Sequence, residues 1–282
     1  MSSIAFLGTG LLGSAFVEAA LGRGDRVTVW NRTADKARAL EAFGATAAAT
    51  PADAVRGAER VHLVLKDDGV VDEVVAALRA DLAEDTVVVD HTTTQPARTA
   101  ERAARLNAEG VRYLHCPVFI GPPVARAGQG TILASGPRAL FDTVEPALAR
   151  MAARVAYLGE RADLAATYKL CGNTIIVGLS AILADVFAVA GGSDVPAPDA
   201  LRVLDYLDLG AMVNGRGRAM AAGNFAPNFE LAMARKDVGL MMETAGGRPL
   251  AALPAIAARM DALIAEGRGG DDLGVLARGA AA

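Results

Sequence analysis

Lysine is scarce in this chain, and one lysine has a neighbour at a spacing suited to acid–base chemistry. Of 28 basic residues only four are lysines, namely Lys36, Lys66, Lys169 and Lys236. Asn173 follows Lys169 by four positions in a helical pattern, so both side chains lie on one face and can reach the same small molecule. A lysine ammonium, above all one whose pKa is lowered by partial burial, can give a proton to an oxygen that gains negative charge. The pair therefore predicts proton transfer to such an oxygen, with the Asn173 amide orienting the lysine or the substrate.

A glycine-rich loop near the start of the chain could hold phosphate groups. The apolar run Ile4–Leu7 leads directly into Gly8-Thr9-Gly10-Leu11-Leu12-Gly13, and residues with helical periodicity follow. Glycines at these positions allow a tight turn, close approach to a pyrophosphate and close packing of helix on strand. The helix N-terminus adds free N–H groups. The motif predicts dinucleotide binding by Gly8, Gly10, Leu11, Leu12 and Gly13, and the alternative is an ordinary glycine-containing turn.

The end of the second predicted strand indicates which dinucleotide binds. An acidic residue there would bond the ribose 2′-hydroxyl and repel a 2′-phosphate. This chain instead has Trp30-Asn31-Arg32-Thr33, with Lys36 one turn into the next helix. A guanidinium, a hydroxyl and an ammonium suit a phosphate dianion. We therefore expect Asn31, Arg32, Thr33 and Lys36 to bind NADP(H) in preference to NAD(H); the alternative is that the charges are solvated and Thr33 only caps a helix.

These residues need an α/β domain to position them. Up to about residue 160, short β-rich runs alternate with amphipathic Ala-rich stretches, which predicts right-handed βαβ units on a largely parallel, doubly wound sheet. The predicted strands are Ser3–Leu7, Arg26–Trp30, Arg60–Leu65, Thr86–Asp90, Val111–His115, Thr131–Ala134 and Arg154–Leu158. The predicted helices include Leu11–Leu21, Thr33–Phe43, Val70–Leu82 and Pro96–Ala108. We expect a Rossmann-type dinucleotide-binding domain over residues 1–160.

Residues 161–282 are predicted to form an all-α domain for substrate binding and dimerisation, linked to the first domain by a long central helix. Asp163–Ala190 is one helical pattern that is apolar on nearly every side, and Gly191-Gly192 should end it. At about 1.5 Å per residue it would be ~42 Å long. Such a helix requires burial all round, which a small isolated domain does not easily provide. We therefore expect a homodimer in which this helix packs against a second subunit.

Composition excludes several other classes of protein. The formal net charge of −4 leaves no basic excess for nucleic acid or an anionic membrane. Glycine or charge breaks the apolar runs before they could span a bilayer, and no signal-peptide pattern is present. Cys116 and Cys171 are too few for a disulfide framework or a zinc site, and His62, His91 and His115 are widely spaced. We expect a cytoplasmic protein with no bound metal and no nucleic-acid or membrane partner.

The chain resembles the β-hydroxyacid dehydrogenases of the 3-hydroxyisobutyrate dehydrogenase type nearly from end to end. Asp90-His91-Thr92-Thr93-Thr94-Gln95-Pro96 stands in the place of the family's Asp-x-Ser-Thr-x-x-Pro segment, which implies that Thr93 contacts the cofactor. Lys66 stands where the family usually has proline, and Leu65-Lys66 should still pass under the cofactor. The resemblance implies hydride transfer between a nicotinamide cofactor and a small hydroxy or carbonyl compound.

The two most specific motifs of this resemblance contain lysines. Lys169-Leu170-Cys171-Gly172-Asn173 matches the Lys-x-x-x-Asn of the family's catalytic helix. Arg235-Lys236-Asp237-Val238 resembles a later Lys-Asp-Leu motif, whose lysine lies near the nicotinamide. The resemblance thus implies that Lys169 is the proton donor or acceptor and that Lys236 contacts the cofactor. As alternatives, Lys169 extends to water and Arg235-Lys236-Asp237 is a plain charged turn.

The predicted substrate loop departs from the family pattern. Its segment, Cys116 to Gly136, matches the family in spacing, but Phe119-Ile120-Gly121 replaces the family's Ser-Gly-Gly. A ring and a branched alkyl group replace polar anchors for a substrate carboxylate, which favours a larger or less charged substrate at Phe119, Ile120, Gly121 and Asn173. Arg126 could restore a partner for an anion or be a surface residue.

Three functions remain open on this basis. The leading one is an NADP(H)-dependent dehydrogenase or reductase of a small carbonyl or hydroxy compound, with its site between the two predicted domains. The second is an imine reductase, a type similar in fold, favoured by the apolar loop and by Trp30-Asn31-Arg32-Thr33. Against it, such enzymes usually carry Asp or Tyr where this chain has Lys169. The third is a non-catalytic NADP-binding protein for dimerisation or sensing, although such relatives tend to lose the lysine.

Overall fold

The computed structural model describes residues 2–280, and its strands form two sheets. The strands are β1 (Ser3–Leu7), β2 (Arg26–Trp30), β3 (Thr46–Ala47), β4 (Arg60–Leu63), β5 (Val87–Asp90), β6 (Arg112–His115), β7 (Val118–Phe119), β8 (Thr131–Ala134) and β9 (Arg154–Tyr157). The first six form one parallel sheet in the order β3-β2-β1-β4-β5-β6. This is the strand order of dinucleotide-binding doubly wound folds. In the second sheet, β8 pairs antiparallel with β7 and parallel with β9.

Twelve α-helices accompany the strands within the described residues. They are α1 (Leu11–Gly22), α2 (Ala34–Arg38), α3 (Pro51–Val55), α4 (Asp68–Leu78), α5 (Pro96–Ala108), α6 (Pro122–Arg126), α7 (Arg138–Leu148), α8 (Leu164–Gly192), α9 (Ala197–Ala200), α10 (Leu209–Ala221), α11 (Leu231–Thr244) and α12 (Leu253–Ala265). Short 3-10 turns cover Ala39–Phe43, Arg79–Asp81, Leu201–Asp205 and Leu273–Ala277. The chain divides into two compact units, and the division falls inside α8, between Asn173 and Thr174. The domain boundary at residue 160 stays a prediction.

The first unit is built around β1, which is buried on both faces. Ile4 and Phe6 belong to one apolar core together with Phe16 of α1, while Ala5 and Leu7 belong to a second core on the other face. Because successive side chains of a strand point to opposite faces, a central parallel strand covered on both sides must be apolar throughout. The predicted α/β fold with a Rossmann-type sheet and a helical C-terminal part is therefore confirmed.

The second unit is helical and has a core of its own. Leu231 and Leu263 are fully buried in it. The carboxylate of Asp185, on α8, accepts hydrogen bonds from the backbone N–H groups of Ala252 and Leu253, at 2.9 and 2.8 Å. Gly192 is the last residue of α8, and a Cβ there would lie 1.7 Å from the carbonyl oxygen of Thr244. The glycines predicted to end α8 are thus still helical, and one of them lets α11 approach closely.

Several elements of the first unit differ from the sequence prediction. The helix predicted over Val70–Leu82 is α4 (Asp68–Leu78) followed by a 3-10 turn (Arg79–Asp81). The helix predicted over Thr33–Phe43 is instead α2 followed by a 3-10 turn, which ends at Gly44 with φ of 99°. The two-residue strands β3 and β7 were not predicted, because two residues carry no periodicity and their pairing is decided by neighbouring strands.

Much of the apolar surface of α8 is exposed in the single chain. Val177 is 69% and Ile175 is 66% exposed. By length and composition, α8 could cross a membrane. We expected glycine and charge to break every apolar run before it could span a bilayer, and for α8 this is wrong. Its glycines interrupt the apolar stretch, but the mean hydropathy stays high enough for a membrane-spanning helix.

Candidate active site

Two glycines of the loop between β1 and α1 have no room for a side chain. Gly8 has φ of +98°, and a Cβ there would lie 2.2 Å from the carbonyl oxygen of Val64. A Cβ on Gly13 would lie 1.9 Å from the carbonyl oxygen of Gly8. A Cβ on Gly10 would meet no atom within 4 Å, so its missing side chain leaves open space beside the backbone. The loop is therefore packed tightly at both ends and open in the middle, as pyrophosphate binding requires.

The N-terminus of α1 is left free for an anion. Gly10 is its N-cap residue and makes no side-chain capping bond, so the first N–H groups of the helix have no intrahelical acceptor. The buried hydroxyl of Thr9 also has no hydrogen-bond partner among the described residues. Leu11 is 85% exposed at this end of the helix. These free donors beside open backbone fit the phosphates of a dinucleotide.

Asn31 fixes the loop against the end of β2. Its side-chain carbonyl accepts a hydrogen bond from Thr9 N–H at 3.1 Å, and its amide donates to the carbonyl oxygen of Thr33 at 3.0 Å. Thr33 is the N-cap residue of α2, but its hydroxyl makes no capping bond. Arg32, Thr33 and Lys36 are exposed. The hydrogen bonds of Asn31 thus hold this segment near the glycine loop, and the two cations and the hydroxyl stay available to a ligand.

A cavity of about 480 Å³ joins these elements. The predicted residues that line it are Gly8, Gly10, Asn31, Arg32, Thr33, Lys36, Leu65 and Lys66. Its other wall comes from α4, with Val70, Val74, Ala77 and Glu73. The sequence analysis missed this wall, although the apolar face of α4 could have indicated it. The phosphate-binding end, the basic end and the apolar wall together fit a nicotinamide dinucleotide.

A chain of hydrogen bonds positions Leu65 in this cavity. Leu65 N–H donates to the hydroxyl of Thr92 at 3.1 Å, and Thr92 N–H donates to the carboxylate of Asp90 at 2.9 Å. The buried hydroxyl of Tyr113 donates to the same carboxylate at 2.6 Å. Thr93, which the family resemblance implies as a cofactor contact, is exposed. Thr92 therefore holds the loop, and the contact of Thr93 with the cofactor stays a prediction.

Lys169 and Asn173 meet as their spacing predicts. The ammonium of Lys169 donates to the side-chain oxygen of Asn173 at 2.9 Å, and Lys169 is about half buried. The ammonium also lies 4.4 Å from the centroid of the Phe119 ring. Burial lowers the pKa of Lys169 below its ordinary value. A half-buried ammonium with a lowered pKa can donate a proton more readily than a lysine in water.

The predicted substrate loop around Phe119 is apolar and lacks free cations. Phe119 and Ile120 are partly buried, and Pro122 and Pro123 open α6 without N–H groups to donate. The guanidinium of Arg126 donates two hydrogen bonds to the carboxylate of Glu18, at 2.6 and 3.1 Å. The open question about Arg126 is thus answered, since it joins α6 to α1 instead of facing an anion.

Lys236 lies in the second unit, on α11. Its side chain is 59% exposed and forms an ion pair with Asp237 at 2.8 Å. Its contact with the cofactor therefore stays a prediction from the family resemblance.

The histidines form a buried structural network. His62 and His91 stack, and His62 Nδ1 lies 3.0 Å from His91 Nε2, while His91 Nδ1 lies 2.7 Å from the carbonyl oxygen of Cys116. Burial lowers the pKa of His91 to about 4 and that of His62 well below its ordinary value. Among residues 2–280, no group of three or more His, Cys, Asp or Glu residues could hold a metal ion.

Comparison with known proteins agrees with this geometry. Residues 3–159 match the family model of the NAD binding domain of 6-phosphogluconate dehydrogenase. Glyoxylate/succinic semialdehyde reductase 1 of Arabidopsis thaliana is 30% identical over 260 residues, which cover 88% of this chain and 89% of that protein.

Solved structures of similar proteins extend over the whole chain. A reductive aminase from Aspergillus terreus, in complex with NADPH4, cyclohexanone and allyl amine, is 26% identical with a TM-score of 0.88, and 98% of each chain is covered. An imine reductase from Streptomyces aurantiacus is 27% identical with a TM-score of 0.88, and again 98% of each chain is covered.

The glycine loop, the parallel sheet and the cavity define an oxidoreductase that binds a nicotinamide dinucleotide. The chain belongs to the β-hydroxyacid dehydrogenase family, whose NAD-binding domain is of the 6-phosphogluconate dehydrogenase type. The predictions of the family and of an enzyme are confirmed.

Proposed function

We propose that this chain is an NADP(H)-dependent reductase of small carbonyl compounds in which Lys169 is the proton donor. The observation that carries the proposal is the bond of 2.9 Å between the Lys169 ammonium and the Asn173 amide oxygen on a half-buried face of α8. A nicotinamide dinucleotide held by the glycine loop and by Arg32 and Lys36 would supply the hydride for the carbonyl carbon. Lys169 gives its proton to the carbonyl oxygen, which becomes a hydroxyl, and then regains a proton from solvent.

The choice of NADP(H) over NAD(H) is supported by charge. Arg32, Thr33 and Lys36 line the cavity, and the end of β2 carries no acid that would repel a 2′-phosphate. Glu73 also lines the cavity, but it projects from α4 and not from the end of β2. The solved reductive aminase with NADPH4 supports the same choice.

Asn173 orients Lys169 in this mechanism. Its amide oxygen accepts one of the three ammonium protons and carries no charge of its own. The other two protons remain for the substrate or for the Phe119 ring. In the reverse direction, the neutral amine of Lys169 accepts the proton of a hydroxyl, and the oxidised nicotinamide would be the acceptor of the hydride from the carbon.

An imine reductase is the second candidate, and one observation favours it. The Phe119 ring and Ile120 give the site an apolar wall, which suits a neutral imine better than an aldehydo-acid. The similarity to a reductive aminase and an imine reductase points the same way. The same lysine would protonate the imine nitrogen.

The proposal includes a homodimer built on α8 and a reducing, cytoplasmic setting. Ile175, Ile176 and Val177 form an exposed apolar stretch that a second copy would cover. Asp185 is a charged group within α8 whose carboxylate is bound by backbone N–H groups of its own unit, which favours a protein partner over lipid. The exposed free thiol of Cys171 is compatible with a reducing compartment.

The decisive experiment replaces Lys169. We expect Lys169→Met, which keeps the length and apolar stem of the side chain, to lower kcat with NADPH by about 10² to 10⁴-fold because it removes the acid. The Kd for NADPH should change by less than about threefold, since the proposed contacts of the dinucleotide lie elsewhere. Assays should cover aldehydo-acids, neutral aldehydes, ketones and cyclic imines. Unchanged turnover by the folded variant would remove Lys169 from the mechanism.

A further inference from the structure

We propose that Phe119 positions Lys169 and selects neutral, apolar carbonyl compounds over aldehydo-acids, a role that rests on the proposed function of Lys169. The ring lies 4.4 Å from the ammonium, at cation–π distance, and so occupies one side of the group that meets the substrate. Asn173 binds the ammonium at 2.9 Å. With the amide and the ring both holding it, the ammonium keeps little freedom to turn toward an anion.

Gly172 is what allows the ring to lie there. A Cβ at Gly172 would be 2.2 Å from Cζ and 2.6 Å from Cε1 of Phe119. The ring therefore rests on bare helix backbone between Lys169 and Asn173. No other residue type at position 172 would leave this space, so the ring and the glycine form one structural unit.

The backbone of Phe119 is also fixed. Phe119 pairs with Thr131 in the second sheet. A Cβ on Gly130 would lie 2.9 Å from the carbonyl oxygen of Phe119 and 2.8 Å from Cγ1 of Ile120. The ring thus projects from a rigid strand end, and its position under the ammonium does not depend on a mobile loop.

Within residues 116–136, the loop that carries Phe119 offers a carboxylate no free side-chain cation. Ile120 is an alkyl group, Pro122 and Pro123 have no N–H, and the guanidinium of Arg126 is paired with Glu18. A carboxylate brought to this wall would lose hydration without gaining a cation from the loop, which is costly. Where it bound the ammonium instead, it would occupy the proton donor. A neutral apolar chain gains from burial against the same wall.

The test compares hexanal with 6-oxohexanoate, which differ by a terminal carboxylate, in the full-length enzyme with NADPH. We expect the wild type to prefer hexanal in kcat/KM. Phe119→Ser should shift the ratio of the two kcat/KM values at least tenfold toward 6-oxohexanoate, since it replaces the ring with a hydroxyl and water. Phe43→Ser makes the same exchange at an exposed phenylalanine of the first unit and should retain the wild-type ratio within about threefold.

A pH profile separates positioning of the ammonium from mere packing. In the reductive direction, kcat/KM falls as pH rises and the ammonium loses its proton. Phe119→Leu keeps the site apolar but removes the ring face that favours the cation, so the alkaline limb should move down by about half a pH unit. Phe119→Ser admits water and should move the limb up. Opposite shifts in the two variants are not expected of a residue that only fills space.

Gly172→Ala provides an independent route to the same effect. Its Cβ would displace the ring, so the substrate ratio should move as in Phe119→Ser, with Phe119 itself unchanged. Gly217→Ala is the matched control, because Gly217 also lies inside a helix and a Cβ there meets no atom within 4 Å. The control should keep both the ratio and the pH profile.

Failure of this inference can be distinguished from failure of the proposed function. If Lys169→Met abolishes turnover but the Phe119 and Gly172 variants keep the wild-type ratio and alkaline limb, only the role of Phe119 is wrong. If wild type prefers 6-oxohexanoate, the selectivity is likewise overturned. If Lys169→Met turns over like wild type, both proposals fail.

Discussion

The proposed choice between NADP(H) and NAD(H) rests on single side chains at the end of β2. Arg32 lines the cavity and makes no ion pair within residues 2–280. We expect Arg32→Ala to weaken NADPH binding about ten- to a hundredfold, the value of a charge-assisted hydrogen bond, and to leave NADH binding nearly unchanged. Fluorescence titration with each cofactor measures both. Arg38→Ala is the control, since Arg38 is an exposed arginine on the following helix α2 and pairs with Asp35. An equal loss for both cofactors would contradict the 2′-phosphate assignment.

At this scale the sequence predicted residues whose role is local and missed those whose role depends on distant contacts. The steric need for glycine at Gly8 and Gly13 follows from the motif, and the meeting of Lys169 with Asn173 follows from helical spacing. The contact between Phe119 and Gly172 joins a strand to a helix far along the chain, and no local pattern predicts it. The hydrogen bond from Leu65 N–H to the Thr92 hydroxyl was likewise not predicted, because it depends on which side chain after β5 points into the protein.

Among the elements, those with a full pattern between clear end signals were predicted best. β1, β2 and β8 have the predicted bounds, as does α5, because each has a full pattern and clear ends. The helices α3 and α6 begin with prolines and span five residues each, too few for a periodic signal. These short helices depend on contacts with other elements. For example, the hydrogen bond between Arg126 and Glu18 joins α6 to α1.

The approach of α8 to α11 depends on one glycine. A Cβ at Gly192 would lie 1.7 Å from a backbone oxygen, so Gly192→Ala must push the helices apart. We expect it to cost about 1 to 3 kcal/mol of unfolding free energy, as overpacking does, measured by urea denaturation. Gly191→Ala is the neighbouring control, because its Cβ would meet only the flexible side chain of Arg248, at 3.2 Å. Equal stability of the two variants would contradict the close approach.

The stacked histidines at the ends of β4 and β5 predict sensitivity to acid. His91 has a folded pKa of about 4, lowered chiefly by burial, whereas an unfolded histidine has a pKa of about 6.5. The unfolded chain therefore binds more protons between these values, so stability is fully present above about pH 6.5 and falls as pH drops toward 4. The loss for His91 alone reaches about 3 kcal/mol.

His62→Phe tests this, because it removes one buried histidine and keeps a ring to stack on Phe6, whose centroid lies 4.6 Å from that of His62. The pH dependence of unfolding free energy between pH 4.5 and 6 should become shallower by about one proton, even where the variant is less stable overall. Urea denaturation of both proteins at several pH values measures the slope. An unchanged slope would show that His62 does not take up a proton on unfolding.

For the molecule as a whole, a single chain does not bury the apolar surface of α8. The sequence predicted that the helix would be apolar all round and would need a second subunit, while Val177 and Ile175 remain exposed in the single chain. Local sequence establishes the need for cover, but which surface supplies it depends on the shape of two whole subunits. Sequence similarity to enzymes of one family does not show which surface covers α8 either.

A charge placed on α8 tests the dimer directly. We expect the wild type to run as a dimer in light scattering at micromolar concentration, with a Tm that rises with concentration. Val177→Glu places a carboxylate in the proposed interface, where it would be buried without a partner, so this variant should be monomeric. Phe43→Glu adds the same charge at an apolar residue of the first unit that is 59% exposed, and it should stay dimeric. A monomeric wild type that floats with lipid vesicles would instead assign the exposed face of α8 to a membrane.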